Sequence, residues 1–107
     1  MPASVILCTV PDEEQAGRIA RALVEERLAA CVNIVAGVRS IYRWEDKVCD
    51  DAELLLLIKA RREAFPRLLR RVQELHPYAV PEVLALDVAA GAPAYLEWLE
   101  GVTGPLP

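Results

Sequence analysis

The hydrophobic residues in the first half of the chain follow a strand pattern, then a helix pattern, then a second strand pattern. The β-branched run SVILCTV, residues 4–10, stops at a proline and predicts a strand. Residues 31–44, CVNIVAGVRSIYRW, form a longer β-type run, in which Gly37 predicts a bulge or a bend. Residues 11–30 lie between these runs and predict a helix, because acidic side chains at their start favour the positive end of a helix. Apolar residues then recur there at helical spacing: Ala16, Ile19, Ala20, Leu23 and Val24.

The second half of the chain repeats the alternation of strands and helices. After the turn EDK, residues 48–60 predict a strand that returns along the previous one as a hairpin. Residues 64–75 predict a helix with a proline near its first turn. Residues 81–89 predict a fourth strand, and 92–102 a short amphipathic helix. The Gly/Pro tail TGPLP, residues 103–107, is expected to fray.

The order of these elements predicts the fold class. A β-α-β-β-α-β series with an added terminal helix is the ferredoxin-like split βαβ pattern, an α+β fold. No linker, repeat or low-complexity segment interrupts the 107 residues. We therefore expect one ferredoxin-like domain covering residues 1–107, with an extra C-terminal helix.

The predicted strands are apolar on both faces of the sheet. In this fold two helices cover one face, and a face left in water should alternate apolar with polar side chains. Here Leu7 faces opposite to Ile6, and Leu55 opposite to Leu56, so neither face is polar. A large exposed apolar surface is rare in monomers. We expect an obligate, closed homo-oligomer; the alternative is that the C-terminal helix or the tail covers the open face.

The composition narrows the possible partners and compartment. Hydrophobic residues make up 54% of the chain and charged residues 26%, with a net charge of −4. The acidic balance argues against nucleic acid as a partner. No apolar run approaches the roughly 18–20 residues that span a bilayer, so no membrane partner is expected. The N-terminus lacks a basic segment and a cleavage signature, and the odd number of cysteines (Cys8, Cys31, Cys49) fits a reducing compartment. We expect a cytoplasmic protein.

The first candidate chemistry is a metal site. Cys8 lies near the end of the first strand and His76, the single histidine, at the end of the second helix. A thiolate and an imidazole together suit copper or zinc. The alternative is structural, because free cysteine is among the most buried residue types and histidine in a last helical turn favours the helix dipole there.

Catalysis has less support in the sequence. A Cys–His nucleophile pair using Cys8 or Cys31 is open, although no pattern specifically favours it. The carboxyl groups of Asp50, Asp51 and Glu53 are most simply interpreted as a solvated turn.

The third candidate is a small-ligand or interface cleft. Tyr42, Arg43 and Trp44 end the second strand, and Tyr78 and Glu82 follow the histidine. Aromatic side chains beside an arginine and a glutamate are typical of recognition surfaces. They are equally typical of a packed hairpin tip, so both interpretations stay open on the residues alone.

Several segments resemble a known family. RLAACVNI, SIYRWEDKV and HPYAVPE are the most specific, and with ILCTVP, ELLLLIKA and YLEWL they cover nearly the whole chain. Together they resemble the CutA family of divalent-cation tolerance proteins. The resemblance implies a ferredoxin-like subunit, related in architecture to the PII signalling proteins, that assembles as a homotrimer whose sheets pack together.

The resemblance also implies a metal role for two residues. The family is associated with tolerance to copper and other divalent cations, and some members are described as binding copper. The cysteine of ILCTVP and the histidine before PY correspond to Cys8 and His76. This chain departs from the double-histidine form, because Leu75 stands where a second histidine could stand.

The relation to PII proteins implies a second kind of site. PII-like trimers place ligand sites in clefts between subunits, which makes five residues candidates for an intersubunit cleft: Tyr42, Trp44, Lys59, Tyr78 and Glu82. We expect a cytoplasmic, trimeric, non-enzymatic protein of divalent-cation tolerance that binds copper or another divalent cation. The alternative is a PII-like signalling protein that binds a small anionic ligand in the cleft.

Overall fold

The computed structural model describes residues 2–105, which form a four-stranded antiparallel sheet and three α-helices. In chain order the elements are β1 (Ala3–Val10), α1 (Glu13–Glu25), β2 (Cys31–Trp44), β3 (Lys47–Arg61), α2 (Phe65–Leu75), β4 (Leu84–Asp87) and α3 (Pro93–Val102). A short 3-10 turn, Arg62–Ala64, leads from β3 to α2. The strand order is β2-β3-β1-β4, as in the predicted ferredoxin-like fold with an added C-terminal helix, so the predicted α+β class is confirmed.

Helix α1 begins at a capped first turn and ends earlier than its sequence predicts. The Asp12 side chain accepts a hydrogen bond of 2.9 Å from the Gln15 N–H, which satisfies a donor that the helix leaves free. The helix ends at Glu25, and Arg27 then adopts the left-handed conformation, with φ 61°. That conformation stops the α-helical hydrogen-bond pattern. The prediction of a helix up to residue 30 is therefore wrong in its last turn.

Strands β2 and β3 form the predicted long hairpin. Its turn has positive φ at both Glu45 (49°) and Asp46 (62°), as expected for a two-residue hairpin turn of the primed type. The register shifts between Val35 and Val38, where Gly37 has φ 80°. The predicted bulge at Gly37 is confirmed, and the hairpin extends the protein to 47 Å along its longest axis.

The second half of the chain leads from α2 to the outer strand β4. Pro66 lies in the first turn of α2, where its missing N–H costs no hydrogen bond. The helix ends at Leu75, and His76 is extended because the following proline disfavours helical geometry. Strand β4 covers only Leu84–Asp87, shorter than the predicted 81–89, because it pairs with a single neighbour, β1, over four residues.

The main core lies between the sheet and the helices α1 and α2. Alternate residues of β1 and β3 point into it and are buried, as are the inner faces of both helices. The side chains that are fully buried there include Ile6, Ile19, Leu23, Leu56, Ile58, Leu68 and Val72.

The opposite face of the sheet is apolar and only partly covered. Leu7 and Leu57 point to this face and are half-buried, and Leu84 and Leu86 on β4 are more than half exposed. Helix α3 covers one end of the face, where Leu99 packs with Ala3 and Ala30. The helix therefore leaves most of this apolar surface open in a single chain.

The start of the tail is anchored to the domain. Thr103 is buried, and its hydroxyl accepts a hydrogen bond of 2.9 Å from Arg61 Nε. Arg27 Nε donates to the Gly104 carbonyl at 2.6 Å, and the Gly104 N–H donates to the Arg27 carbonyl at 3.0 Å. The expectation of fraying is wrong for residues 103–104, and residues 106–107 lie outside the described part. Within residues 2–105, no helix has the length and apolar character needed to cross a membrane.

Candidate functional site

Four of the five predicted cleft residues line one cavity of about 580 Å³. They are joined there by Glu53, which the sequence interpretation assigned to a solvated turn. Lys59 does not line this cavity, because it lies six residues from Glu53 along β3, about 20 Å at 3.3 Å per residue. The lining residues are Thr9, Ser40, Ile41, Tyr42, Trp44, Glu53, Tyr78, Ala79, Val80 and Glu82.

Three parts of the fold bring these residues together. The hairpin of β2 and β3 extends past the end of β1. The side chains of β2 that follow the Gly37 bulge therefore lie near the last residues of β1. Thr9 contributes the end of β1. The connection from α2 to β4 is kept non-helical by Pro77 and Pro81, and it delivers Tyr78 and Glu82 to the same place.

Hydrogen bonds join the aromatic residues to carboxylates of β3. The Tyr78 hydroxyl donates to Glu53 Oε2 at 2.7 Å, and the Tyr42 hydroxyl donates to Asp51 Oδ2 at 2.5 Å. Glu53 is only 7% exposed, so its assignment to a solvated turn was wrong. The period-2 pattern of β3 could have found it, because Glu53 shares a face with Leu55 and Leu57.

These carboxylates make the cavity electrically negative. The hydrogen bond to Asp51 raises the pKa of Tyr42 to about 12. Burial, followed by the bond to Glu53 and its charge, raises the pKa of Tyr78 well above its usual range. Burial also raises the pKa of Cys8 to about 12, and the charges of Glu82 and Glu53 add to that effect. All three groups therefore stay neutral at ordinary pH.

His76 lies behind the cavity wall and uses both ring nitrogens. Its Nδ1 accepts the Tyr78 N–H at 3.1 Å, and its Nε2 lies 2.8 Å from the Thr9 carbonyl oxygen. Because an N–H donates to Nδ1, the proton of the neutral ring must be on Nε2, which donates to Thr9. The ring also packs against the Tyr78 ring, with 4.7 Å between centroids. His76 thus fixes the position of Tyr78, whose hydroxyl reaches Glu53.

Cys8 and His76 lie close together but do not fit a copper ion in this conformation. Both approach the Thr9 carbonyl, Cys8 Sγ at 3.8 Å and His76 Nε2 at 2.8 Å. A metal needs a thiolate and an imidazole lone pair, whereas burial keeps the thiol protonated and Tyr78 occupies the free lone pair. Among residues 2–105, no three His, Cys, Asp or Glu side chains are grouped so that they could hold a metal ion. Copper binding by this pair stays a prediction from the resemblance.

The geometry offers equally little for a Cys–His nucleophile pair. An active cysteine needs a lowered pKa and an adjacent base. Cys8 has the opposite shift, and the His76 lone pair is engaged. Cys31 is level with Lys59 and Val5 in the sheet, whereas His76 contacts Thr9, which is four residues farther along β1, about 13 Å at 3.3 Å per residue.

Comparisons with known proteins agree on one family. The family model described as CutA1 divalent ion tolerance protein matches residues 4–102. The divalent-cation tolerance protein CutA of Thermus thermophilus is 61% identical over 100 residues, covering 94% of this chain and 97% of that protein. Protein CutA, chloroplastic, of Arabidopsis thaliana is 47% identical over 103 residues; this chain spans 57% of its length. The crystal structure of CutA1 from Oryza sativa superposes with a TM-score of 0.95 at 47% identity, covering 97% of this chain and 95% of that one.

Proposed function

The chain belongs to the CutA1 divalent ion tolerance family, and from that premise we propose that it acts in divalent-cation tolerance as a non-enzymatic homotrimer. The cleft of Tyr42, Trp44, Tyr78 and Glu82 then lies where subunits meet. One observation carries this proposal: the sheet has a partly uncovered apolar face and two different unpaired edges. We further propose a cytoplasmic location, which the three free cysteines favour, although a plant relative carries a chloroplast name.

The two outer strands of the sheet suit pairing between subunits. In the order β2-β3-β1-β4, the strands β2 and β4 each have one edge without a neighbour among residues 2–105. Both edges carry exposed apolar side chains: Ile34, Val35 and Ile41 on β2, and Leu84 and Leu86 on β4. When two different edges pair head to tail, copies of a chain form a ring if the rotation between them closes, and a filament if it does not. The family resemblance implies that three copies close it.

The cleft lies beside both edges. Tyr42 and Trp44 belong to β2, and Glu82 comes two residues before β4. A neighbour that pairs with either edge therefore borders the cleft. Lys59 points to the open face far from its own cleft, so it can take part in a cleft only as a residue of another subunit.

The tolerance role is tested in living cells. A bacterial strain that lacks its own CutA protein is complemented with the wild type, with Leu86→Glu, which places a charge on the β4 edge, and with the matched surface variant Val24→Glu on α1. Val24 is 41% exposed and belongs to α1, which packs on the opposite face of the sheet from the open one. We expect the wild type and Val24→Glu to restore growth at elevated copper, cobalt and zinc, and Leu86→Glu to fail.

This experiment needs a measurement of protein level, because an unstable variant would also fail. Immunoblots of soluble extracts show whether each variant accumulates equally. Wild-type protein that accumulates but restores no growth with any of the three metals would contradict the tolerance role. Full restoration by Leu86→Glu would contradict the need for assembly.

A ligand-sensing role, as in PII-like proteins, is the second candidate. The observation that favours it is the cavity of about 580 Å³, a size typical of small-molecule sites. In a sensor, a ligand bound in the cleft would affect the contacts between subunits, because the same strands carry the cleft and the unpaired edges. The sequence suggested an anionic ligand, but Glu53 and Glu82 in the lining disfavour negative charge.

A further inference from the structure

We infer that the cleft binds an organic cation, a small amine with an apolar body, in place of an anion or a bare metal ion. This inference names the ligand class for the sensing role proposed above and rests on that role. Three features of the cleft support it: a buried carboxylate without a cationic partner among residues 2–105 of its own chain, three aromatic side chains in the wall, and an excess of hydrogen-bond acceptors.

The first feature is Glu53. It is 7% exposed, and its recorded partner is the neutral Tyr78 hydroxyl, at 2.7 Å from Oε2. None of the salt bridges within residues 2–105 involves Glu53 or the nearby Glu82. A carboxylate removed from water is costly unless a positive charge compensates it. A cation in the cleft would supply that compensation.

The second feature is the aromatic wall. Tyr42, Trp44 and Tyr78 line the same cavity and are 42%, 47% and 37% exposed, so part of each side chain is open to a ligand. The face of an aromatic ring attracts a cation that is weakly hydrated, such as an alkylammonium group. The neighbouring Ile41 and Val80 offer apolar contact to the carbon skeleton of such a ligand.

The third feature is the balance of donors and acceptors. The phenol protons of Tyr42 and Tyr78 are donated to Asp51 and Glu53, so each phenol oxygen can only accept a further hydrogen bond. Among residues 2–105 of the single chain, no lysine, arginine or histidine lines the cavity. An ammonium group brings N–H donors to these acceptors, whereas a carboxylate or phosphate would find little to bind.

A bare metal ion fits this cleft less well than an amine. Calcium and magnesium take six or more oxygen ligands, often including water. The cavity wall has two carboxylates, Glu53 and Glu82, and one oxygen of Glu53 already accepts the Tyr78 hydroxyl. A volume of about 580 Å³ also exceeds by far what one ion fills. The aromatic wall would contribute nothing to a strongly hydrated ion.

The test compares probes that differ mainly in charge. Isothermal titration of the full chain uses benzylamine and choline as cations, benzoate as the anion, benzyl alcohol as the neutral analogue, and magnesium chloride as the metal. We expect one cation per chain, and affinity for benzylamine at least about tenfold above that for benzoate and benzyl alcohol. Equal binding of benzoate, or no binding of either cation at 10-fold excess over ~1 mM protein, would overturn the inference.

Variants then locate the binding. Glu53→Gln removes the charge and should weaken benzylamine binding about tenfold or more, whereas Glu97→Gln, an exposed carboxyl on α3, should change nothing. Because Glu53 is buried, circular dichroism checks that the variant folds. Trp44 is 47% exposed in the single chain, and Trp44→Ala should weaken binding about threefold through the lost ring, with circular dichroism as the same check of folding. Unchanged affinity in both cleft variants would overturn the assignment.

Sedimentation of the same samples separates this inference from the proposed assembly. If the chain is a trimer and binds no amine, only the proposed ligand class is overturned. A lysine of a neighbouring subunit that already occupied the cleft would give this result. A monomer that binds the amine supports the ligand class and overturns the trimer.

Discussion

Both ring nitrogens of His76 form hydrogen bonds with the protein backbone, one with the N–H of Tyr78 and one with the carbonyl of Thr9. This makes it a positioning residue: it holds the backbone of Tyr78, and the Tyr78 hydroxyl then holds Glu53. Removing the ring would take away the imidazole partner of a part-buried carbonyl and of a part-buried N–H, which is costly. At the residue scale, the cleft therefore depends on a histidine that does not line it.

We predict that His76 contributes little to copper binding. In a competition titration with a copper chelator, wild type, His76→Gln and Cys8→Ala should agree in affinity within about twofold, because neither side chain offers a free lone pair or thiolate. His76→Gln should still lower the thermal midpoint, because the two hydrogen bonds change. A tenfold loss of copper affinity in either variant would contradict this and restore the metal site.

The residues of the cleft differ in how far the sequence reveals them. Tyr42, Trp44, Tyr78 and Glu82 were named as cleft residues through the resemblance to PII-like trimers, because the residues alone fitted a packed hairpin tip equally well. Glu53 was missed, since its neighbours Asp50 and Asp51 suggested a solvated turn. The period-2 pattern of β3 could have placed Glu53 on the face of Leu55 and Leu57. Its hydrogen bond to Tyr78 joins residues 25 apart in sequence, and no local pattern reveals a contact of that range.

At the scale of elements, the strands of the hairpin were predicted most closely. Residues 31–44 form β2 as predicted, because β-branched residues and the Gly37 bulge are local signals. The end of α1 and the length of β4 were not predictable in this way. The first depends on Arg27, whose left-handed backbone is supported by hydrogen bonds to the tail at Gly104. The length of β4 depends on how many residues of β1 pair with it.

The cap of α1 gives a prediction at this scale. Asp12→Ala removes the acceptor for the Gln15 N–H and should lower the free energy of unfolding by about 1 kcal/mol. Asp12→Asn keeps an oxygen in place and serves as the control, with a loss of a few tenths of a kcal/mol at most. Urea unfolding at one fixed protein concentration compares them, since assembly makes stability depend on concentration. Equal losses in both variants would show that the cap bond contributes nothing.

At the scale of the whole molecule, helices of the same chain cover one face of the sheet, whereas the other face is covered only in part. Helices α1 and α2 bury the first face, whereas α3 covers only the end of the second, near Ala3. The exposed leucines of β4 and the exposed residues of β2 extend this surface to both edges. The sequence predicted this surface from strands that are apolar on both faces. It left open how much of this face the C-terminal helix covers, because the residues that follow α3 are held by Arg27 and Arg61, which are distant in sequence.

The central claim is that the open sheet surface joins copies of the chain, and sedimentation equilibrium at low micromolar concentration tests it most directly. The wild type and Val24→Glu should each sediment at three times the 11.8 kDa of one chain, whereas Leu86→Glu should sediment as a smaller species. The charge on the β4 edge would lie against apolar surface in the ring, which is unfavourable. A wild-type chain that is folded and monomeric at that concentration would contradict the account.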